Sequence, residues 1–98
     1  MYGTIARLKV SRDNLEKLRE LSEEQMTRNV PGSRAAHVLV PDERDDEAYL
    51  VVFFEDKASY QRNADNPSQH EDYLKMRALL DADPEWIDGE WWSWEMSG

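Results

Sequence analysis

At 98 residues, 40% of them hydrophobic and 34% charged, the chain has the size and balance of one domain around a single core, and it is too apolar for disorder. Its formal net charge of −9 is lopsided: residues 1–40 carry seven Lys/Arg against five Asp/Glu, and residues 41–98 carry five against sixteen. That distribution repels a phosphate backbone and argues against nucleic acid as a partner. The absence of cysteine removes disulfides, thiolate nucleophiles and Cys-held metals, and suits a reducing cytoplasm.

Residues 2–10 alternate, with Thr4, Ala6, Leu8 and Val10 on one face and Ile5, Arg7 and Lys9 on the other, which predicts a first strand. The Met1–Arg7 start has no apolar stretch after a basic one, so it does not read as a signal peptide. Asp13 and Glu16 have the spacing of a capping box opening a helix, with Leu15, Leu18, Leu21 and Met26 inward. Asn29-Val30-Pro31-Gly32-Ser33 ends that helix. Residues 34–40 then read as a second strand, and the loop 41–47, with five acids and one Arg, as a solvated turn. Ala48-Tyr49-Leu50-Val51-Val52-Phe53-Phe54 is the longest apolar run. It is far too short to cross a bilayer and is apolar on both faces, as an interior strand is.

A helical segment over 57–64 is interrupted at Asp65-Asn66-Pro67. Ser68 and Glu71 suggest a second capping box, followed by a Tyr73, Met76, Leu80 stripe that stops at Asp83-Pro84. Residues 89–96 predict the last strand, with Trp92, Trp94 and Met96 on one face and Trp91 on the other. The order βαββαβ, with right-handed crossovers, is an α+β, ferredoxin-like arrangement: a four-stranded antiparallel sheet with two helices on one face. Two helices cover one side only. The other side, apolar in strand three and rich in Trp in strand four, calls for a second copy packed face to face as a homodimer.

The segment Phe53-Phe54-Glu55-Asp56-Lys57-Ala58-Ser59-Tyr60, running into Asn66-Pro67-Ser68-Gln69-His70-Glu71-Asp72-Tyr73, resembles the passage from strand three into a broken second helix in antibiotic-biosynthesis-monooxygenase (ABM) domains. Together with the element order over 1–98, it makes the chain similar to one such domain of the dimeric α/β-barrel superfamily. The resemblance implies a pocket in each subunit between sheet and helices. Some relatives oxidise polycyclic phenols or quinols there with dioxygen and no cofactor, and others bind and degrade haem. The haem-degrading pattern is not met: the first strand has no Asn, Asn63 stands where a Trp is expected, and Tyr73 stands near the position of a proximal His, with His70 one turn earlier. The expectation is therefore a protein that uses no cofactor.

His37, on the strand-two parity of Ala35 and Leu39, reads either as an interfacial histidine or as a general base, since imidazole titrates near neutrality. His70, at a helix start, is either solvated or a pocket acid/base, and Tyr73 is either core or a third proton-transfer candidate. Tyr60, Asn63 and Arg77 on the second helical region, Trp86 in the connection to strand four, and Trp92 are candidate ligand contacts. Two histidines on separate elements, without H-x-x-x-H or H-x-x-E spacing, make no metal site. The expected function is a cofactor-independent monooxygenase acting on a planar phenolic or quinol-like molecule. The alternative is a non-catalytic homodimer of the same fold that binds a planar apolar small molecule or haem.

Overall fold

The computed structural model describes residues 1–97. Strand β1 (Tyr2–Lys9) leads to helix α1 (Arg12–Met26), then to the neighbouring strands β2 (Ser33–Leu39) and β3 (Glu47–Phe54). Helices α2 (Lys57–Ala64) and α3 (Pro67–Arg77) follow, and strand β4 (Glu85–Glu90) closes the order. The sheet order is β2-β3-β1-β4 with every neighbouring pair antiparallel, which is the expected ferredoxin-like sheet. β1 and β3 lie in the middle, as the two-sided apolar run in β3 requires.

Cross-strand register defines the two faces. Leu8 lies opposite Ala48, Ala6 opposite Leu50 and Thr4 opposite Val52, all on the helix side. Ala6, Leu8, Ala48 and Leu50 form the buried core with Val10, Leu18, Met76 and Leu80, and Val52 packs against it partly buried. On the other side Ile5 meets Val51, and Val51 meets His37. Among the described residues no helix covers this outer face: Leu39 is 61% exposed and Ile87 70%. Trp91 leans across it, edge-on to Phe53 at 4.6 Å, beside Gly3, where a Cβ would strike the Val52 carbonyl oxygen at 2.1 Å and lie 3.0 Å from the indole nitrogen.

Several expectations are corrected. α1 begins after Ser11, whose carbonyl accepts from Asn14 N–H; Asp13 lies inside the first turn and makes no capping box. At α3, Pro67 takes the first helical position, where its missing N–H costs nothing, and the Asn66 side chain accepts from Ser68 N–H at 2.9 Å. The Ser68–Glu71 box is thereby displaced. α3 ends at Arg77, and tight turns from Met76 to Leu79 and from Arg77 to Leu80 replace its predicted continuation to Asp83. The last strand lies at 85–90, not 89–96, because its register is set at the other end. Asp81 N–H bonds Lys9 O, Pro84 is buried, and the chain pairs at once with β1, Glu85 facing Arg7 and Glu90 facing Tyr2. Trp86 therefore stands on a strand, not in a connection. After Trp91 N–H bonds Met1 O, residues 92–97 leave the sheet, with Trp92 and Trp94 each 77% exposed and Met96 94%.

Glu47 is also not part of a solvated turn. It opens β3 and is buried against the Arg7 guanidinium. The hydrogen bond from Arg7, and then that from the Tyr49 hydroxyl at 2.9 Å, hold its carboxyl below the ordinary range despite desolvation. A carboxyl that is a stronger acid when folded stabilises fully above its unfolded pKa of about 4.3, and that contribution is lost as pH falls through the folded value. The urea midpoint is thus expected to drop as pH is lowered from 6 towards 3. Glu47→Gln should be less stable at pH 6 and show a flatter pH dependence. Parallel curves for the two proteins would contradict this.

Gly32 turns the chain from α1 into β2 at φ +82°, a conformation open to glycine, and a Cβ there would strike Ser59 Oγ. Ser59 is buried in α2, which Asp56 caps by accepting its N–H at 2.8 Å. This turn seats α2 against the end of the sheet.

Candidate functional site

A cavity of about 750 Å³ lies on the helix side of the sheet and opens to solvent. Its floor is Thr4, Leu50, Val52 and Phe54 from the sheet, and its walls are Met26 of α1, Tyr60 and Asn63 of α2, and His70, Tyr73 and Met76 of α3. Trp86 and Asp88 of β4 complete the far side. Met26, Tyr73 and Met76 border this space and do not fill it, while Leu80 belongs to the core below. The volume is within the range of small-molecule sites, and the lining, mostly apolar with a few convergent polar groups, is of the kind such sites have.

The break between α2 and α3 places the polar groups. Asn66 and Pro67 restart the helix at a new angle, so Asn63 Nδ2 donates to Gln69 Oε1 at 3.3 Å across the junction. One turn on, the His70 ring lies nearly parallel to that of Tyr73, with centroids 6.4 Å apart. Tyr60 packs edge-on to Phe54 at 5.7 Å, and its hydroxyl donates to Asp88 Oδ1 at 2.9 Å. Thr4, beneath them, donates its own hydroxyl to Ile87 O at 3.1 Å.

Burial first, and then the hydrogen bond to Asp88, push the Tyr60 phenol up to about 12. Tyr60 is therefore a neutral hydrogen-bonding group across the physiological range and does not act as a base. In an alkaline titration followed by phenolate absorbance, one of the four tyrosines is expected to ionise only near pH 12, after the ordinary range of about 10. The stability linked to it is intact below pH 10 and declines between about 10 and 12. Asp88→Asn should bring the value only part of the way back, because burial is the larger cause. Four tyrosines titrating together near 10 would refute the assignment.

Of the candidates read from the sequence, Tyr60, Asn63, His70, Tyr73 and Trp86 converge on this cavity. Three do not. His37 lies on the outer face, edge-on to Phe53 at 6.0 Å, because beyond the register shift between Ser33 and Ala35 the residues Ala35, His37 and Leu39 face away from the helices, opposite Phe53, Val51 and Tyr49. Arg77 turns from the cavity to pair with Asp83 at 2.7 Å and with Leu80 O at 3.0 Å. Trp92 is in the exposed tail. Asp88, Thr4 and Gln69 were not anticipated. Placing β4 four residues earlier would have put Trp86 and Asp88 on the helix face by alternation alone.

The site is an open, mostly apolar cavity between the two layers of an α+β fold. The chain belongs to the antibiotic biosynthesis monooxygenase family, whose model matches residues 1–78. Among solved structures it is similar to a protein of that family name from Deinococcus radiodurans, with a TM-score of 0.79 at 16% identity, covering 100% of both chains. Another, from Chloroflexus aurantiacus, gives 0.78 at 18% identity, covering 99% of this chain and 98% of the other. SnoaB, a cofactor-independent oxygenase from Streptomyces nogalater, gives 0.70 at 14% identity, covering 92% and 93%. At these identities the likeness is one of fold. No curated protein matches the sequence. Among the described residues, no helix is long and apolar enough to cross a membrane.

Proposed function

We propose that the chain is a cofactor-independent monooxygenase that takes a planar phenolic or quinol-like molecule into the helix-side cavity and works as a homodimer joined through its outer sheet face. The observation that carries the reading is the cavity, in which Phe54, Tyr60, Tyr73 and Trp86 offer flat apolar surface while His70, Asn63 and Asp88 stand at its edge. Family membership and the fold shared with a cofactor-independent oxygenase support it. A substrate such as an anthrone supplies all the electrons. A base removes the acidic proton, and the resulting carbanion reduces dioxygen. One oxygen atom stays as the new carbonyl and the other leaves as water. His70 is the acceptor in this scheme, since it is the imidazole that borders the cavity. Tyr60, held protonated, orients the substrate through Asp88.

Oxygen uptake with a hydroquinone and anthrone panel tests the proposal. Positioned proton transfer contributes roughly 10²–10⁴-fold, so His70→Ala is expected to lose about a hundredfold or more, while His37→Ala retains its rate. No uptake with any substrate removes the enzyme reading. A loss with His37→Ala but not His70→Ala moves the base to the other face. One observation favours the non-catalytic reading, namely that His70 is solvent-exposed. In that case the same ligands bind, tracked by quenching of the four tryptophans, with no turnover.

A further inference from the structure

The two ends of the cavity floor differ in charge. A row of residues crosses that floor on the helix side: Asp88 of β4 faces Thr4, Thr4 faces Val52, and Val52 faces Ala36 of β2. All four border the cavity. Three strand spacings set the outer two roughly 14 Å apart. At the β4 end the acidic group accepts hydrogen bonds. Asp88 Oδ1 holds the Tyr60 hydroxyl at 2.9 Å, and the second carboxylate oxygen can accept from a ligand hydroxyl. A ligand anion is repelled there.

The β2 end is built the other way. Its ladder slips between Ser33 and Ala35, so that Ser33 faces Phe54 and Ala35 faces Phe53, with Arg34 as the extra residue of a bulge. Bulges re-aim side chains beside binding sites. Counted back from Ala36, alternation puts Arg34 on the helix side, and the slip keeps Ser33 there as well; both border the cavity. Among the described residues two arginines do so, and they are not equivalent. Arg28 Nη1 is bound to both carboxylate oxygens of Asp72, at 2.7 and 2.8 Å. Arg34 meets Glu55 only at 3.7 Å, beyond hydrogen-bonding distance, and its side chain is 61% exposed. Its planar fork of donors can therefore close on a ligand carboxylate.

We infer that the cavity takes a planar polycyclic molecule lengthwise across the sheet, its hydroxyl end at Asp88 and Tyr60, and that Arg34 selects those ligands that carry a carboxylate at the opposite end. The apolar body then lies over Val52 and Phe54, between the two polar ends. This rests on the reading of the cavity as a planar-ligand site and names the class of molecule it prefers.

Two probes differ only in the group at issue: 1,8-dihydroxyanthraquinone and its 3-carboxylic acid. Their binding is followed by tryptophan quenching near neutral pH and at low salt. The wild-type chain is expected to bind the acid about five- to tenfold more tightly, a preference held down by the exposure of Arg34 and shrinking as salt is added. Arg34→Gln should bring the two affinities to within about twofold of each other. Arg19→Gln removes the same charge from an exposed position on α1 outside the cavity lining, and should keep the wild-type ratio. Equal affinities in the wild type, or a preference that survives Arg34→Gln, overturn the assignment and leave the cavity as a site for neutral ligands. So does a ratio that falls equally in Arg19→Gln, since overall charge would then explain it. Binding of neither probe removes the planar-ligand reading itself, and this inference with it.

Discussion

Val51→Lys is expected to turn the protein into a folded monomer. Val51 sits at the centre of the outer face, with Ile5 beside it on β1 and His37 on β2, and no helix above. In an isolated subunit a lysine there reaches water and costs the fold little. In a face-to-face pair it is buried twice, once from each chain, opposite Ile5 and Ile87, and the outer-face carboxylates of Glu47 and Glu85 are already paired with Arg7. An unpaired buried charge costs about 3–5 kcal/mol, and the two-fold doubles it, so dissociation should rise at least about a thousandfold. Sedimentation velocity and far-ultraviolet circular dichroism together check this: half the mass with an unchanged spectrum. Retention of the wild-type mass would place the interface elsewhere.

Leu8→Ala is expected to have the largest effect on stability. Leu8 is 1% exposed and packs where β1, β3 and α1 meet, facing Ala48 across the strands, with Ala6, Val10 and Leu18 in the same cluster. Its neighbours on the sheet are already small, so little can move in to fill the space. Such truncations cost roughly 2.7–5 kcal/mol, against a total of about 5–15 kcal/mol for a domain of this size. At roughly 4–8 °C for each kcal/mol in a domain of this length, the thermal midpoint should fall by about 10 °C or more. Leu74→Ala, on the exposed side of α3, should shift it by no more than a few degrees. Similar shifts for the two would mean that the core has been misplaced.

The element order was legible because the chain obeys its periods closely. Alternation in 2–9 and two-sided apolarity in 48–54 leave β1 and β3 no place but the sheet centre. The breaks at Pro31-Gly32 and Asn66-Pro67 are steric, and the structure keeps both. Helix starts were less legible. Ser11 and Asp13, or Asn66 and Ser68, compete within one turn as caps, and the choice falls to whichever lets the preceding strand or helix end without strain.

The fourth strand lies earlier than the densest aromatic run suggests. Pairing is decided by register with β1, set from Asp81 and Pro84, and the tryptophans fall beyond it. About half of the site was accessible for a related reason. Residues on α2 and α3 share a helical stripe, so Tyr60, Asn63, His70 and Tyr73 converge once the helices dock. A strand residue can point either way, and β2 is polar enough on both parities that nothing local said which side of the sheet His37 would face.

The account depends on the outer face being closed by a twin, and the wild-type mass in sedimentation equilibrium at micromolar concentration addresses that directly. A value of twice 11.5 kDa, independent of loading concentration, is the predicted result. A single species at 11.5 kDa, with Leu39 and Ile87 left in water, would contradict it.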